Sequence, residues 1–283
     1  MGKFKFEEGK PYVMPVYFGP NNFWYDDEGQ CYQPATVETV GITFETDPEQ
    51  IDALLPEFFT SNAPVITVQA NEMNYIGWCG GGSYKLLKIT TPIHYKGKEE
   101  ETDGELLLAM FENDPSQSLC GREMTGYNKP GCMLPRFTNF EGIYTSYAFD
   151  FETFFPFMKL RIDTNKKPED LDRLLRIQAM SKGTINLAYY PDPDDLTRAR
   201  DQFVTLMPND WKKPEGYKYD IMERKDTWCS GYIEFYEPES KMDMPQWLPI
   251  GKGLANLKIK GYLAACHSIW HEPCDYNRVR ILK

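Results

Sequence analysis

Short apolar runs, some alternating with polar residues and some continuous, recur along the chain between clusters of Gly, Pro and Asp. They predict strands at Val37–Phe44, Val65–Ala70, Tyr84–Tyr95, Glu105–Phe111, Gly142–Phe149, Met158–Ile162, Ile185–Tyr190, Trp228–Tyr236 and Leu254–Ala265. Helical spacing is rarer. Pro48–Leu55 follows Thr46 or Asp47 as N-cap, and Pro168–Met180 carries Leu171, Leu174, Leu175 and Ile177 at helical spacing. Leu196–Leu206 is a third predicted helix. Trp78–Gly82 reads as a flexible loop between strands, without the Lys-Ser/Thr step of a phosphate-binding loop. No repeat or low-complexity tract divides the chain, and Lys212–Gly216, the nearest thing to a linker, is short enough to be a surface loop. The pattern predicts one α+β domain over residues 1–283, mainly antiparallel β with few helices.

A net charge of −11 argues against nucleic-acid binding, which needs a basic face to neutralise phosphates. It also means that an anionic substrate is not steered in from a distance, so an acid group needs local positive charge. The acidic runs at 99–105 and 192–195 read as solvated loops. Hydrophobic residues are 41% of the chain, enough for a substantial core. Cys31, Cys79, Cys120, Cys132, Cys229, Cys266 and Cys274 form no CxxC pair and read as reduced thiols of a cytoplasmic protein. Met1–Lys10 is charged and lacks the apolar stretch of a signal peptide. No run approaches the roughly 20 apolar residues of a membrane span.

Candidate chemistry centres on Lys129, in the run Gly121-Arg122-Glu123-Met124-Thr125-Gly126-Tyr127-Asn128-Lys129-Pro130. A lysine amine condenses with a ketone, and the protonated imine withdraws electrons from the bond beside it. The attack needs a neutral amine, which requires desolvation or a neighbouring positive charge. Phe111, Leu119, Met133, Leu134 and Phe137 favour desolvation, while Gly121, Gly126, Pro130 and Gly131 predict a tight backbone around the amine. A desolvated amine of this kind is expected to add little to folding stability.

Gly-Arg-Glu, then a Tyr, one residue and a Lys, resembles the signature of the acetoacetate decarboxylase family, in which the lysine after that tyrosine forms the Schiff base. Val40–Phe59 is similar to the family's strand, Thr-Asp turn and short helix. Pro64–Val68 and Thr91-Pro92-Ile93 resemble the strands that follow. Gly183–Asp195 and Gly261–Trp270 are similar to two later strands, with less in common between them. The resemblance implies a cone-shaped β-barrel with a flanking sheet, a homo-oligomer, a small-molecule substrate and no cofactor.

Departures from the family pattern select among its reactions. The decarboxylases follow the reactive lysine directly with a second lysine, and here Pro130 stands there. Of the family's two pocket glutamates, the first falls on Gln69 and the second on Tyr84 or Leu86, depending on a gap. No arginine in Asn21–Thr39 matches the family's N-terminal pocket arginine. The electron sink is kept while the groups specialised for expelling carbon dioxide are not, which points to aldol or retro-aldol chemistry through the same enamine. That chemistry moves a proton on and off an oxygen. Some family members resemble aldolase-dehydratases acting on pyruvate and aldehydes with a tyrosine late in the chain, and Tyr262 is the candidate here, with Glu123 as the other proton carrier. Arg122 would hold a substrate carboxylate through its fork of donors, or brace the backbone by pairing with Glu123. Arg136 is a second local cation. Gln69, Tyr84, Leu86, Thr125 and Tyr127 complete the expected substrate-binding set; Thr125 serves equally as a turn cap.

Two rival classes stand beside this one. His267 and His271, four apart with Cys266 and Cys274 nearby, would put two imidazoles on one face of a helix as metal ligands, but the run before them reads as strand and no metal site is expected. A non-catalytic member of the fold would use Lys129 to bind carbonyls reversibly. The reading adopted is a Schiff-base carbon–carbon lyase acting on a small oxo acid and an aldehyde, with β-keto acid decarboxylation as the alternative.

Overall fold

The computed structural model describes residues 2–21, 24–26, 29, 31–273 and 275–283, so Cys274 lies outside the described residues. In chain order the strands are β1 (Ala35–Glu45), β2 (Phe59–Ser61), β3 (Val65–Ile76), β4 (Gly82–Lys96), β5 (Glu101–Glu112), β6 (Thr138–Phe140) and β7 (Ile143–Phe149). They continue as β8 (Pro156–Asp163), β9 (Gly183–Asp192), β10 (Asp195–Pro208), β11 (Lys225–Phe235), β12 (Gly261–Glu272) and β13 (Arg280–Leu282). The α-helices are α1 (Pro48–Asp52), α2 (Pro115–Thr125), α3 (Leu171–Met180) and α4 (Leu248–Ala255). The strands pair in the order β13-β10-β9-β5-β4-β3-β1-β12-β11-β8-β7-β6, with β2 on β4. Neighbours are antiparallel except β5 and β9, which run parallel.

Side chains alternate faces along each strand, so every strand offers one row to each side of the sheet. One row, with Val40, Ile42, Val68, Ala70, Leu87, Ile89 and Phe111, packs against Ala148, Phe157, Met158, Leu160, Ile162 and Ile233. The second set comes from β7, β8 and β11, which form a flanking layer. Strand β11 passes between the layers: Lys225–Cys229 pairs with β12, and Ser230–Phe235 pairs with β8. Gly131 and Met133 bridge to Glu112 and Phe149, stitching β5 to β7. The opposite row includes Val37, Gln69, Tyr84, Leu86, Lys88 and Met110, and it faces a cavity reached also by Met207 of β10 and Trp270 of β12. Strands so far apart in the pairing order meet at one cavity only if the sheet curls with that face inward. The result is a cone backed by a flanking sheet.

The structure corrects two expectations and adds a helix. Leu196–Leu206 is not a helix but lies within β10. Its apolar residues recur at helical spacing, yet Asp201–Pro208 pairs continuously with β9 and carries β13 on its other edge. The predicted strand Leu254–Ala265 is split, because Leu254 closes α4 with its side chain in the core and β12 starts only at Gly261. Around Gly121, where a tight backbone is predicted at the amine, the chain forms the helix α2. Asp114 caps its start, accepting hydrogen bonds from the Ser116 and Gln117 amides at 2.8 and 3.2 Å, and Pro115 occupies the first turn. Gly126 ends it in the left-handed region, at φ 72°. No described helix is long and apolar enough to cross a membrane.

Candidate active site

Lys129 reaches its place through the backbone around α2. Beyond Gly126 the chain turns back along β5, where the Met110 amide donates to the Asn128 carbonyl and the Glu112 amide to that of Pro130. Asn128 anchors this segment by donating from its side chain to the Leu107 and Leu108 carbonyls at 2.9 and 3.1 Å. The Lys129 side chain then lies between the end of β5 and the face of α2 that carries Gly121. A side chain at position 121 would overlap the lysine's Cε and Nζ, so the glycine of the Gly-Arg-Glu motif is what lets the amine pass the helix.

The lysine ammonium donates to Glu112 Oε1 at 2.7 Å and more weakly to the Gln117 carbonyl at 3.4 Å. The Lys129 side chain is 9% exposed and that of Glu112 is 0% exposed. Ser118 donates to the other carboxylate oxygen at 3.2 Å. Burial pushes the Glu112 carboxyl above its ordinary range, and the Lys129 charge opposes this only in part. The pair opens onto a cavity of about 380 Å³. Tyr84, Leu86, Met110 and Tyr127 make its walls, and Gln69, Asn71, Lys88, Arg224 and Glu272 bring polar groups to it. The amine sits 6.0 Å from the centre of the Tyr127 ring, whose hydroxyl is kept protonated by burial.

The model of the family described as acetoacetate decarboxylase matches residues 13–153, which include Glu112 and Lys129. The acetoacetate decarboxylase of Chromobacterium violaceum is 32% identical over 98 residues, 35% of this chain and 37% of that protein's own length. The chain belongs to the acetoacetate decarboxylase-like family. Among solved structures, the acetoacetate decarboxylase of Legionella pneumophila superposes with a TM-score of 0.60 at 16% identity, covering 89% of this chain and 86% of that one. The enduracididine biosynthesis enzyme MppR complexed with pyruvate gives 0.59 at 8% identity, covering 91% and 93%. At these identities the likeness is one of fold, and it agrees with the mainly antiparallel sheet and few helices seen here.

Within this family member, Gln69, Tyr84, Leu86 and Tyr127 line the same cavity as Lys129. Thr125 lines the small adjoining space beside the amine, where its hydroxyl is tied to the Gly121 carbonyl. Four expected residues are elsewhere. Tyr262 donates to the Ile233 carbonyl and accepts from its amide, on the flanking-sheet side of β12. The cause is a bulge: Thr43 pairs with Ala264 but Phe44 pairs with Tyr262, so Leu263 is extra and the tyrosine leaves the face that carries Trp270. Arg122 is exposed on the far side of α2, and Tyr190 holds its carbonyl. Glu123 receives the Met14 amide at 3.2 Å and lines none of the space around Lys129. Arg136 is spent on Glu72, at 3.1 Å, with its side chain 78% exposed. The cations that do reach the cavity are Lys88 and Arg224, neither of which the sequence reading selected. Glu112 was also missed. Its signal is the period of β5, which puts an acid in line with Met110 at the end of an inward-facing row.

His267 and His271 lie on strand β12, where four residues span roughly 13 Å, too far for one metal. Each is engaged: His267 Nε2 is 2.8 Å from Glu38, and the Met222 amide donates to His271 Nδ1.

Proposed function

We propose that the protein is a Schiff-base lyase that joins or splits a small oxo acid and an aldehyde, an aldolase or aldolase-dehydratase with Lys129 as its nucleophile. The observation that carries this reading is the amine of Lys129 held 2.7 Å from a fully buried carboxylate at the head of a cavity of about 380 Å³. A carboxyl raised by burial is a suitable acceptor for the ammonium proton. With that proton on Glu112, the amine lone pair attacks the carbonyl carbon and the C=O electrons move to oxygen. Glu112 returns the proton as the oxygen leaves in water, and the iminium remains on Lys129. Loss of a neighbouring C–H proton to the freed carboxylate gives the enamine, whose carbon adds to the aldehyde. The Tyr127 hydroxyl, protonated at neutral pH, donates to the alkoxide that forms. Water then releases the product and regenerates the amine, and the proton that Glu112 took from carbon returns to the Tyr127 oxygen.

Gln69, and either Tyr84 or Leu86, at positions where the decarboxylases carry acids support aldol over decarboxylation, as does Pro130 in place of a second cation. MppR, which shares the fold, has been solved with pyruvate and with the condensation product of pyruvate and imidazole 4-carboxaldehyde. The family match favours a second reading, decarboxylation of a β-keto acid through the same imine. Borohydride reduction with pyruvate tests the shared step, with the modified peptide mapped by mass spectrometry. The expected result is one adduct on Lys129 that is absent from Lys129→Ala; no adduct refutes the reading. Product analysis then separates the activities: aldehyde release from an aldol adduct, carbon dioxide release from acetoacetate, or neither for a binding protein.

A further inference from the structure

The space in front of Lys129 does not end at Lys88. A second chamber of about 630 Å³ shares Gln69, Lys88, Thr184, Arg224 and Trp270 with the first, so the two are continuous. The lining of this chamber includes donors that meet no acceptor among the described residues. Trp211 and Arg278 line it, and Trp211 Nε1 with Arg278 Nε and Nη1 are buried and meet no acceptor among the described residues. Buried donors left unmet are costly, and each one marks a place where an acceptor belongs. The Lys88 amine is buried as well, which favours its uncharged form; its hydrogen bond goes to Thr184 Oγ1 at 2.9 Å, and the Glu105 and Glu272 carboxyls act against the burial by favouring its charge.

The sheet brings these donors to one region. Thr184 pairs with Met207 on β10, and the remaining Arg278 nitrogen, Nη2, donates to the carbonyl of the next residue, Pro208. The acids on the chamber wall are already engaged. Asp226 accepts from Arg224 and from Ser268, each at 2.6 Å. Glu272 accepts from the Trp270 indole at 2.9 Å, and Asp275 from the Tyr25 hydroxyl at 3.0 Å. Glu105 is buried, which pushes its carboxyl up toward the uncharged form, opposed in part by the Lys88 charge and the Thr90 hydroxyl.

We infer that the second chamber is a carboxylate subsite built by Lys88, Trp211 and Arg278, and that the substrate is an oxo acid with a second carboxylate at its far end. The inference deepens the proposed function, resting on the Lys129 imine for the carbonyl end alone. It also supplies the positive charge that a protein of net charge −11 must provide locally to hold an acid group.

The test compares borohydride trapping of 2-oxoadipate with that of 2-oxohexanoate, its equal in length with an uncharged end, and repeats it with the pair two carbons longer. In the wild type the dicarboxylate of at least one pair should half-saturate trapping at a concentration about tenfold lower or less, the worth of a charge-assisted hydrogen bond. In Lys88→Met, and in Trp211→Phe, which keeps the ring and removes the N–H, that ratio should collapse toward one. Equal half-saturation within both pairs, or a ratio that survives in both variants, overturns the subsite. If no oxo acid gives a Lys129 adduct, the imine has failed and calorimetric titration of adipate decides the subsite separately. Binding weakened about tenfold in Trp211→Phe upholds it; no binding, or binding equal in the two proteins, overturns it.

Discussion

Replacing Lys129 by Met removes the proposed nucleophile, and the structure assigns the change a stability cost as well. The partner left behind is the Glu112 carboxylate, whose side chain is 0% exposed and which keeps only the Ser118 hydroxyl, at 3.2 Å, as a side-chain donor. Breaking a buried ion pair from one side costs roughly 3–5 kcal/mol when the remaining charge has no other partner. This displaces the sequence-based expectation that the amine adds little to stability. The cost has a pH signature. Burial raises the Glu112 carboxyl in the folded protein above the unfolded value of about 4.3, so the folded state binds the proton more tightly. Its contribution is therefore fully present below about pH 4 and is lost as pH rises through the folded value. In Lys129→Met nothing offsets that loss, so the variant's deficit against wild type should be small at pH 5 and approach the full cost at pH 8. Urea denaturation at the two pH values measures it, and adding Glu112→Gln to the variant should restore most of the stability. A single variant within about 1 kcal/mol of wild type at both pH values would mean that the carboxylate is not desolvated. The proposed proton acceptor would then have no basis.

Two further substitutions separate position from packing. Gly121→Ala should raise the intrinsic stability of α2 by up to about 1 kcal/mol while pushing the Lys129 amine off Glu112. Imine formation should slow about 100-fold, the order expected for a misplaced reacting group, and an undiminished trapping rate would show that the glycine does not set the amine's position. Tyr262→Phe should cost about 0.5–1.5 kcal/mol through the lost bonds to Ile233 and leave the trapping rate unchanged. A large rate loss without a stability loss would return the proton-transfer role to this tyrosine.

Much of the cone was legible because its strands follow the period of two. Val65–Ala70 and Tyr84–Tyr95 fall inside β3 and β4, and their alternation puts Gln69, Tyr84 and Leu86 on the face opposite Val68, Leu87 and Ile89. Where local pattern and pairing disagree, pairing wins. Leu196, Ala199, Phe203 and Leu206 recur at helical spacing, but a helix there would leave β9 without its neighbour and β13 without an edge to join. Helix α2 was hidden for the opposite reason. Its residues have a weak apolar face, and only its ends, Asp114-Pro115 and Gly126, announce it.

The site divides along the same line between local and non-local information. Lys129, Tyr127 and Gly121 belong to one short motif whose chemistry is readable where it stands. The groups that condition the lysine come from strands distant in the chain, and no spacing rule points to them. Glu112 is 17 residues before its partner, and Arg224 is 95 after it. Tyr262 shows how small the margin is. With Leu263 accommodated as an extra residue, strand β12 turns the tyrosine toward the flanking layer, whereas an unbroken ladder would have kept it in the row of Ser268 and Trp270. A bulge of one residue leaves no mark in hydrophobic periodicity, yet it determines which hydroxyl can meet the substrate. The proton-handling group was therefore the part of the proposed mechanism least readable in sequence, and the buried carboxylate is the candidate for it because the fold, rather than the motif, sets it beside the amine.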